Sequence, residues 1–147
     1  MASTAPTSRT RERPHGDEEA STELRLGEFQ SVPTLTMSEA RLLINAVIEH
    51  RKTQRKVEET ETLIKMQDYL DIFARFKQKE NIEAVERMLT THTELEPFEK
   101  SQLGSLCCDS AEEAKTLIPS LGNRISDDEL QDLLSEITNI REMDLHK

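Results

Sequence analysis

An all-α protein, with an N-terminal extended segment and a long amphipathic helix followed by a five-helix bundle, is the fold the sequence predicts. Three observations predict it. Apolar residues recur at spacings of three and four from Ala40 to Ile140, the period of helices that bury one face. Four Gly and five Pro in 147 residues leave room for long helices and few tight turns. Finally, Ser, Thr or Asp followed three residues later by Glu precedes several apolar runs. In that pattern a side-chain oxygen satisfies free N–H groups of the first turn while the Glu reaches back. With four Phe, one Tyr and no Trp, the core must be built from Leu, Ile, Ala and Met.

Residues 1–20 combine Ser, Thr, Pro, Arg and Glu without periodicity, and nothing there offsets the entropy of ordering, so a disordered tail is expected. Arg9, Arg11 and Arg13 among Ser and Thr also occur in organelle transit peptides, but apolar residues at helical spacing are absent, and a solvated tail is the better reading. Residues 21–57 are expected to bind a partner. Leu24, Leu26 and Phe29 fall at nearly alternate positions around Gly27, too short for a lone strand; the segment either stays extended or adds to another protein's sheet edge. Thr36 and Glu39 cap the first helix, whose stripe runs through Ala40, Leu43, Ile44, Val47 and Ile48. From His50 to Thr62 only Val57 is apolar, so the helix ends there or runs on through solvent.

Residues 58–147 are expected to form the helical domain. Leu63, Met66, Leu70, Phe73 and Lys77 resume the period, with Tyr69, Ile72 and Phe76 on a neighbouring stripe, giving a helix apolar over a wide arc. Ile82, Val85, Met88 and Leu89 mark the next. Pro97 suits a first helical position, and Phe98, Leu103 and Leu106 share one side of the short helix it opens. Asp109 with Glu112 caps a following helix through Ala111, Ala114, Leu117 and Ile118, which Pro119 stops. Ser126 with Glu129 opens the last, carrying Leu130, Leu133, Leu134, Ile137 and Ile140. Five helices thus follow residue 60. The first helix lies apart across a polar linker, so its stripe either folds back on the bundle or is covered by a partner. The partner is the favoured reading, because the extended segment before it raises the same need.

Chemistry is scarce in this pattern. A net charge of −10 opposes broad phosphate-backbone binding by this chain alone. Lys65, Arg75, Lys77, Lys79 and Arg87 cluster, but Asp68, Asp71, Glu80, Glu83 and Glu86 interleave with them. Cys107 and Cys108 are adjacent, an arrangement that rarely forms a disulfide, and they read as buried packing in a reducing compartment. His15, His50, His92 and His146 lie far apart; His92 with Glu94 has no Pro-Cys-x-x-Cys after it. Asp127, Asp128 and Glu129 suit the positive end of a helix better than a magnesium site. No phosphate loop, Gly-x-Ser-x-Gly elbow or His-Glu-x-x-His motif occurs, so neither an enzyme nor a cofactor is expected. No apolar run approaches 18 residues, and no membrane contact is expected.

Several phrases are similar to a known family. Phe98-Glu99, Leu103-Gly104-Ser105-Leu106-Cys107 and above all Ala111-Glu112-Glu113-Ala114-Lys115-Thr116-Leu117-Ile118-Pro119-Ser120-Leu121 resemble the fourth subunits of eukaryotic RNA polymerase II. Weaker matches are Phe73-Ala74-Arg75-Phe76-Lys77, Asp127-Asp128-Glu129-Leu130-Gln131, and Leu24-Arg25-Leu26-Gly27 with Phe29. The resemblance implies an HRDC-like C-terminal domain and a non-catalytic stalk subunit working in the nucleus, and also in the cytoplasm. Its implied partners are the seventh subunit, which carries an oligonucleotide-binding domain and is contacted mainly by the N-terminal half, the core polymerase, and nascent RNA mainly through the seventh subunit. Leu24, Leu26, Phe29, Leu43, Ile44 and Val47 are the candidate partner-binding residues. The implied roles are transcription initiation and RNA handling. The alternatives are a stand-alone helical nucleic-acid-binding module and the equivalent stalk subunit of another nuclear polymerase. Two departures from the family stand out: a short charged linker, and no aromatic residue from Arg141 to Lys147.

Overall fold

The computed structural model describes residues 19–146; the tail expected over residues 1–20 lies almost wholly outside them. The fold is all-α, with six helices among the described residues: α1 (Met37–Gln54), α2 (Glu61–Phe73), α3 (Lys79–Thr90), α4 (Pro97–Leu106), α5 (Ala111–Leu117) and α6 (Asp127–Leu145). Short 3-10 turns cover Gly27–Phe29 and Pro119–Asn123. One helix precedes residue 60 and five follow, as the periodicity predicts. No described helix is long and apolar enough to cross a membrane.

Local signals place most helix starts. Thr36 Oγ1 accepts from Glu39 N at 3.2 Å while Glu39 Oε1 accepts from Thr36 N at 3.1 Å, the reciprocal cap expected for α1. Pro97 sits at the first position of α4, and Ser126 Oγ accepts from Glu129 N at the start of α6. At α5 the logic holds one residue later than expected. Ser110, not Asp109, is the cap, accepting from Glu113 N at 3.2 Å, and Glu113 Oε2 accepts from Asp109 N at 3.0 Å.

Helix α3 has no side-chain cap of its own. Asp144, near the far end of α6, supplies it: its carboxylate accepts from Lys77 N, Gln78 N and Asn81 Nδ2, each at 2.9 Å. This also explains why α2 ends at Phe73 rather than continuing to Lys77. Phe76 reaches the core, almost wholly buried, only if the chain unwinds after Phe73. The N–H groups so released are taken up by Ser38 Oγ, at 3.1 Å from Phe76 N, and by Asp144.

The core lies between α3, α4, α5 and α6. Leu130, Leu134 and Ile137 run along the buried side of α6 against Val85, Leu103, Ala114 and Leu121. Each such Leu, Ile or Val side chain stabilises the fold by about 1.5–3 kcal/mol. Glu99 lies among them with no exposed surface. Its carboxylate accepts from Ser120 Oγ at 2.5 Å, Arg124 Nε at 2.9 Å and Glu96 N at 2.8 Å, so the charge is paired and hydrogen-bonded. Two family-like phrases, Phe98-Glu99 and Ile118-Pro119-Ser120-Leu121, therefore meet at one buried joint.

Candidate partner-binding surface

Helix α1 packs against α2, α3 and α4. Its start is seated on α4 where Gly104 stands: a Cβ there would lie 2.6 Å from Thr36 Cγ2 and 3.2 Å from Leu89 Cδ1, so only glycine admits this approach. Ser105 Oγ accepts from Met37 N at 3.0 Å, and Thr34 Oγ1 donates to Pro97 O at 2.7 Å. The sequence favours a partner over this helix, yet one side folds back on the bundle, where α2 lies against α1 and Arg41 Nε donates to Asp71 Oδ1 at 2.8 Å.

At 100° per residue, Ser38, Arg41 and Ile48 share the inner side of α1 and Leu43 and Val47 the outer. Ser38 and Ile48 are buried, Ile44 is half-buried, and Leu43 and Val47 keep 54% and 40% of their surface exposed. Helix α2 goes further. Leu70 is its one buried residue, while Ile64, Met66, Tyr69, Ile72 and Phe73 are exposed, Ile72 at 73%. Tyr69 and Phe73, four apart on one face, have ring centroids 4.6 Å apart, a tilted aromatic pair standing in water. The sequence marks this helix as apolar over a wide arc, and none of its residues is among the six candidate partner-binding positions. The available signal was its width, which exceeds what one bundle seam covers. Both helices of a packed pair thus carry an unburied apolar face.

The N-terminal segment is not a free strand. Ala20 and Leu24 form a single antiparallel bridge, and Gly27, at φ 58°, turns the chain into a 3-10 turn. Leu24 is buried within the chain's own fold, near Ser120 and Arg124. Leu26 is half-buried, and Phe29 stands outward, 70% exposed. Of the six sequence-predicted residues, Phe29, Leu43 and Val47 are thus the accessible ones.

Little else on the surface is chemically poised. Burial pushes the Cys107 thiol up to about 11 and raises that of Cys108, so both remain protonated packing groups at neutral pH. Among the described residues no group of three or more His, Cys, Asp or Glu is arranged to hold a metal ion. Asp127 pairs with Lys115, and His92 Nδ1 lies 2.9 Å from Glu94 Oε1 on an open edge. The basic cluster is partly neutralised, since Lys65 meets Glu61 at 2.8 Å and Lys79 meets Glu83 at 4.0 Å, while Lys77 Nζ is held by the backbone carbonyl of Asp71.

What remains is a helical scaffold with an apolar exterior on α1 and α2 and a core built from the signature phrases. A family model described as RNA polymerase Rpb4 matches residues 34–141, from just before α1 almost to the end of α6. The chain belongs to the RNA polymerase Rpb4 family. A Schizosaccharomyces pombe relative, DNA-directed RNA polymerase II subunit rpb4, is 44% identical over 127 residues, covering 84% of this chain and 93% of its own. The Saccharomyces cerevisiae subunit RPB4 is 57% identical over 72 residues, 49% of this chain and 32% of the longer relative. The Dictyostelium discoideum subunit rpb4 is 34% identical over 129 residues, 71% of this chain and 82% of its own. As an Rpb4-family member the chain is a non-catalytic subunit of DNA-directed RNA polymerase II and a nuclear protein. The family match includes Leu43, Ile44 and Val47 and leaves Leu24, Leu26 and Phe29 outside its bounds.

Proposed function

We propose that this chain is the helical half of the RNA polymerase II stalk and holds the seventh subunit through the outward faces of α1 and α2. The observation that carries the reading is the set of large apolar side chains left in water on those two packed helices: Leu43 and Val47 on one, Met66, Tyr69, Ile72 and Phe73 on the other. Exposed aromatic and aliphatic clusters of this kind mark protein interfaces more often than solvated surface. Phe29 extends the candidate contact toward the N-terminus.

In this reading the subunit does no chemistry. It stabilises an RNA-binding partner, docks it to the core polymerase and presents an acidic helical surface to factors acting in initiation and RNA handling. Nascent RNA is met mainly through the partner, because the chain's own charge of −10 repels phosphate. The test is reconstitution with the seventh subunit. Leu43→Asp with Val47→Asp, and separately Tyr69→Ala with Phe73→Ala, should each weaken pairing by at least about tenfold, in keeping with loss of central apolar anchors. If both double variants pair with unchanged affinity while remaining folded, the assignment is wrong.

A further inference from the structure

A groove of about 400 Å³ runs between α1 and α3, floored by Leu35, Leu42, Leu43, Ala46 and Ile82 and edged by Glu39, Glu83, Glu86 and Lys79. We infer that this groove seats a segment of the stalk partner that inserts apolar side chains and flanks them with Lys or Arg. The inference rests on the heterodimer proposed above and specifies what the partner must bring.

Two features argue for it. First, the floor is unfilled: Leu35 and Leu43 remain about half exposed although they border a packed helix pair, and Leu43 belongs both to this groove and to the outer face of α1. An occupant of the groove therefore continues the proposed contact without a gap. Second, the rim has a sign. Three carboxylates face one cation, and Lys79 is spoken for by Glu83 at 4.0 Å. One oxygen of Glu39 is used by the α1 cap and one of Glu83 by Lys79, which leaves Glu86 to meet incoming positive charge. Charge complementarity of this kind sets partner choice and association rate.

Other occupants fit less well. A second copy of this chain would bring a further charge of −10 to an acidic rim. Residues 1–18 offer Arg9, Arg11 and Arg13 but no Leu, Ile, Val or Phe to fill the floor. No buried polar side-chain atom among the described residues lacks a partner, so the groove holds no polar anchor waiting for a small ligand.

The experiment uses the full chain and the purified seventh subunit. Ala46→Trp fills the groove from an exposed position and should raise Kd at least tenfold. Glu83→Lys with Glu86→Lys, at exposed sites on α3, should lower the association rate and flatten its salt dependence. A photo-reactive benzoyl-phenylalanine at position 46 should cross-link to a partner segment in which apolar residues are flanked by Lys or Arg. Wild-type affinity in both the Ala46→Trp and the charge-reversed chains, or a cross-link to an acidic segment, overturns the inference. If those results come while Leu43→Asp with Val47→Asp still abolishes pairing, the heterodimer stands and only the groove is lost. If the unaltered chain fails to bind the seventh subunit, both readings fall.

Discussion

Two carboxylates do more for this fold than their charge suggests. Asp144 completes a helix start that belongs to a distant part of the chain. Burial alone would raise its carboxyl, but the hydrogen bonds from Asn81 and from the N–H groups of Lys77 and Gln78 outweigh burial and hold it below the ordinary 3.8. A carboxylate held low contributes stability above its unfolded value and loses it as pH falls through the folded one. Asp144→Asn should therefore destabilise the chain near neutral pH by about 1–2 kcal/mol, with the difference narrowing in urea titrations as pH falls below the ordinary carboxylate value. Glu99 is the second case. Glu99→Ala leaves Ser120 and Arg124 without their acceptor, at a cost of about 3 kcal/mol, seen as a lower urea midpoint with unchanged slope. Neither role is legible in the sequence, since Gln78 and Asp144 lie 66 positions apart and Glu99 and Ser120 lie 21 apart.

At the scale of helices, what could be read was what is local. The Thr36–Glu39 and Ser126–Glu129 boxes and Pro97 announce three helix starts because donor, acceptor and ring sit within four residues of one another. Asp109 and Ser110 compete for one role with Glu112 and Glu113 behind them, and pattern alone does not separate two boxes offset by one residue. Periodicity alone extends α2 too far, because Phe76 continues the helical period while its burial requires the chain to leave it. The outward face of α2 was hidden for a related reason: apolar residues destined for a partner and for the core have the same spacing. Docking of α1 gives a sharper test. Gly104→Ala places a methyl 2.6 Å from Thr36 Cγ2, and overpacking of this order costs about 1–3 kcal/mol. Amide exchange should then accelerate in α1 well before it does in α6.

For the molecule as a whole, α1 and α2 are held inward by polar staples and face outward with apolar side chains. That division makes the proposed interface separable from the core. Substitutions at Tyr69 and Phe73 should disturb pairing while leaving the thermal midpoint within about 2 °C of the parent, since surface changes away from buried contacts are small. The candidate residues read from the sequence divide along the same line. Leu43 and Val47 stay available, whereas Leu24 is claimed by the chain itself, an outcome that needs knowledge of where Ser120 and Arg124 come to rest. The seat of α1 on α4 also links two positions as a hereditary pair. Thr36 supplies both the cap oxygen and the methyl that Gly104 makes room for. Serine at 36 keeps the oxygen and drops the methyl, so alanine at 104 should cost less beside it than beside threonine, with Leu89 Cδ1 at 3.2 Å the contact that remains.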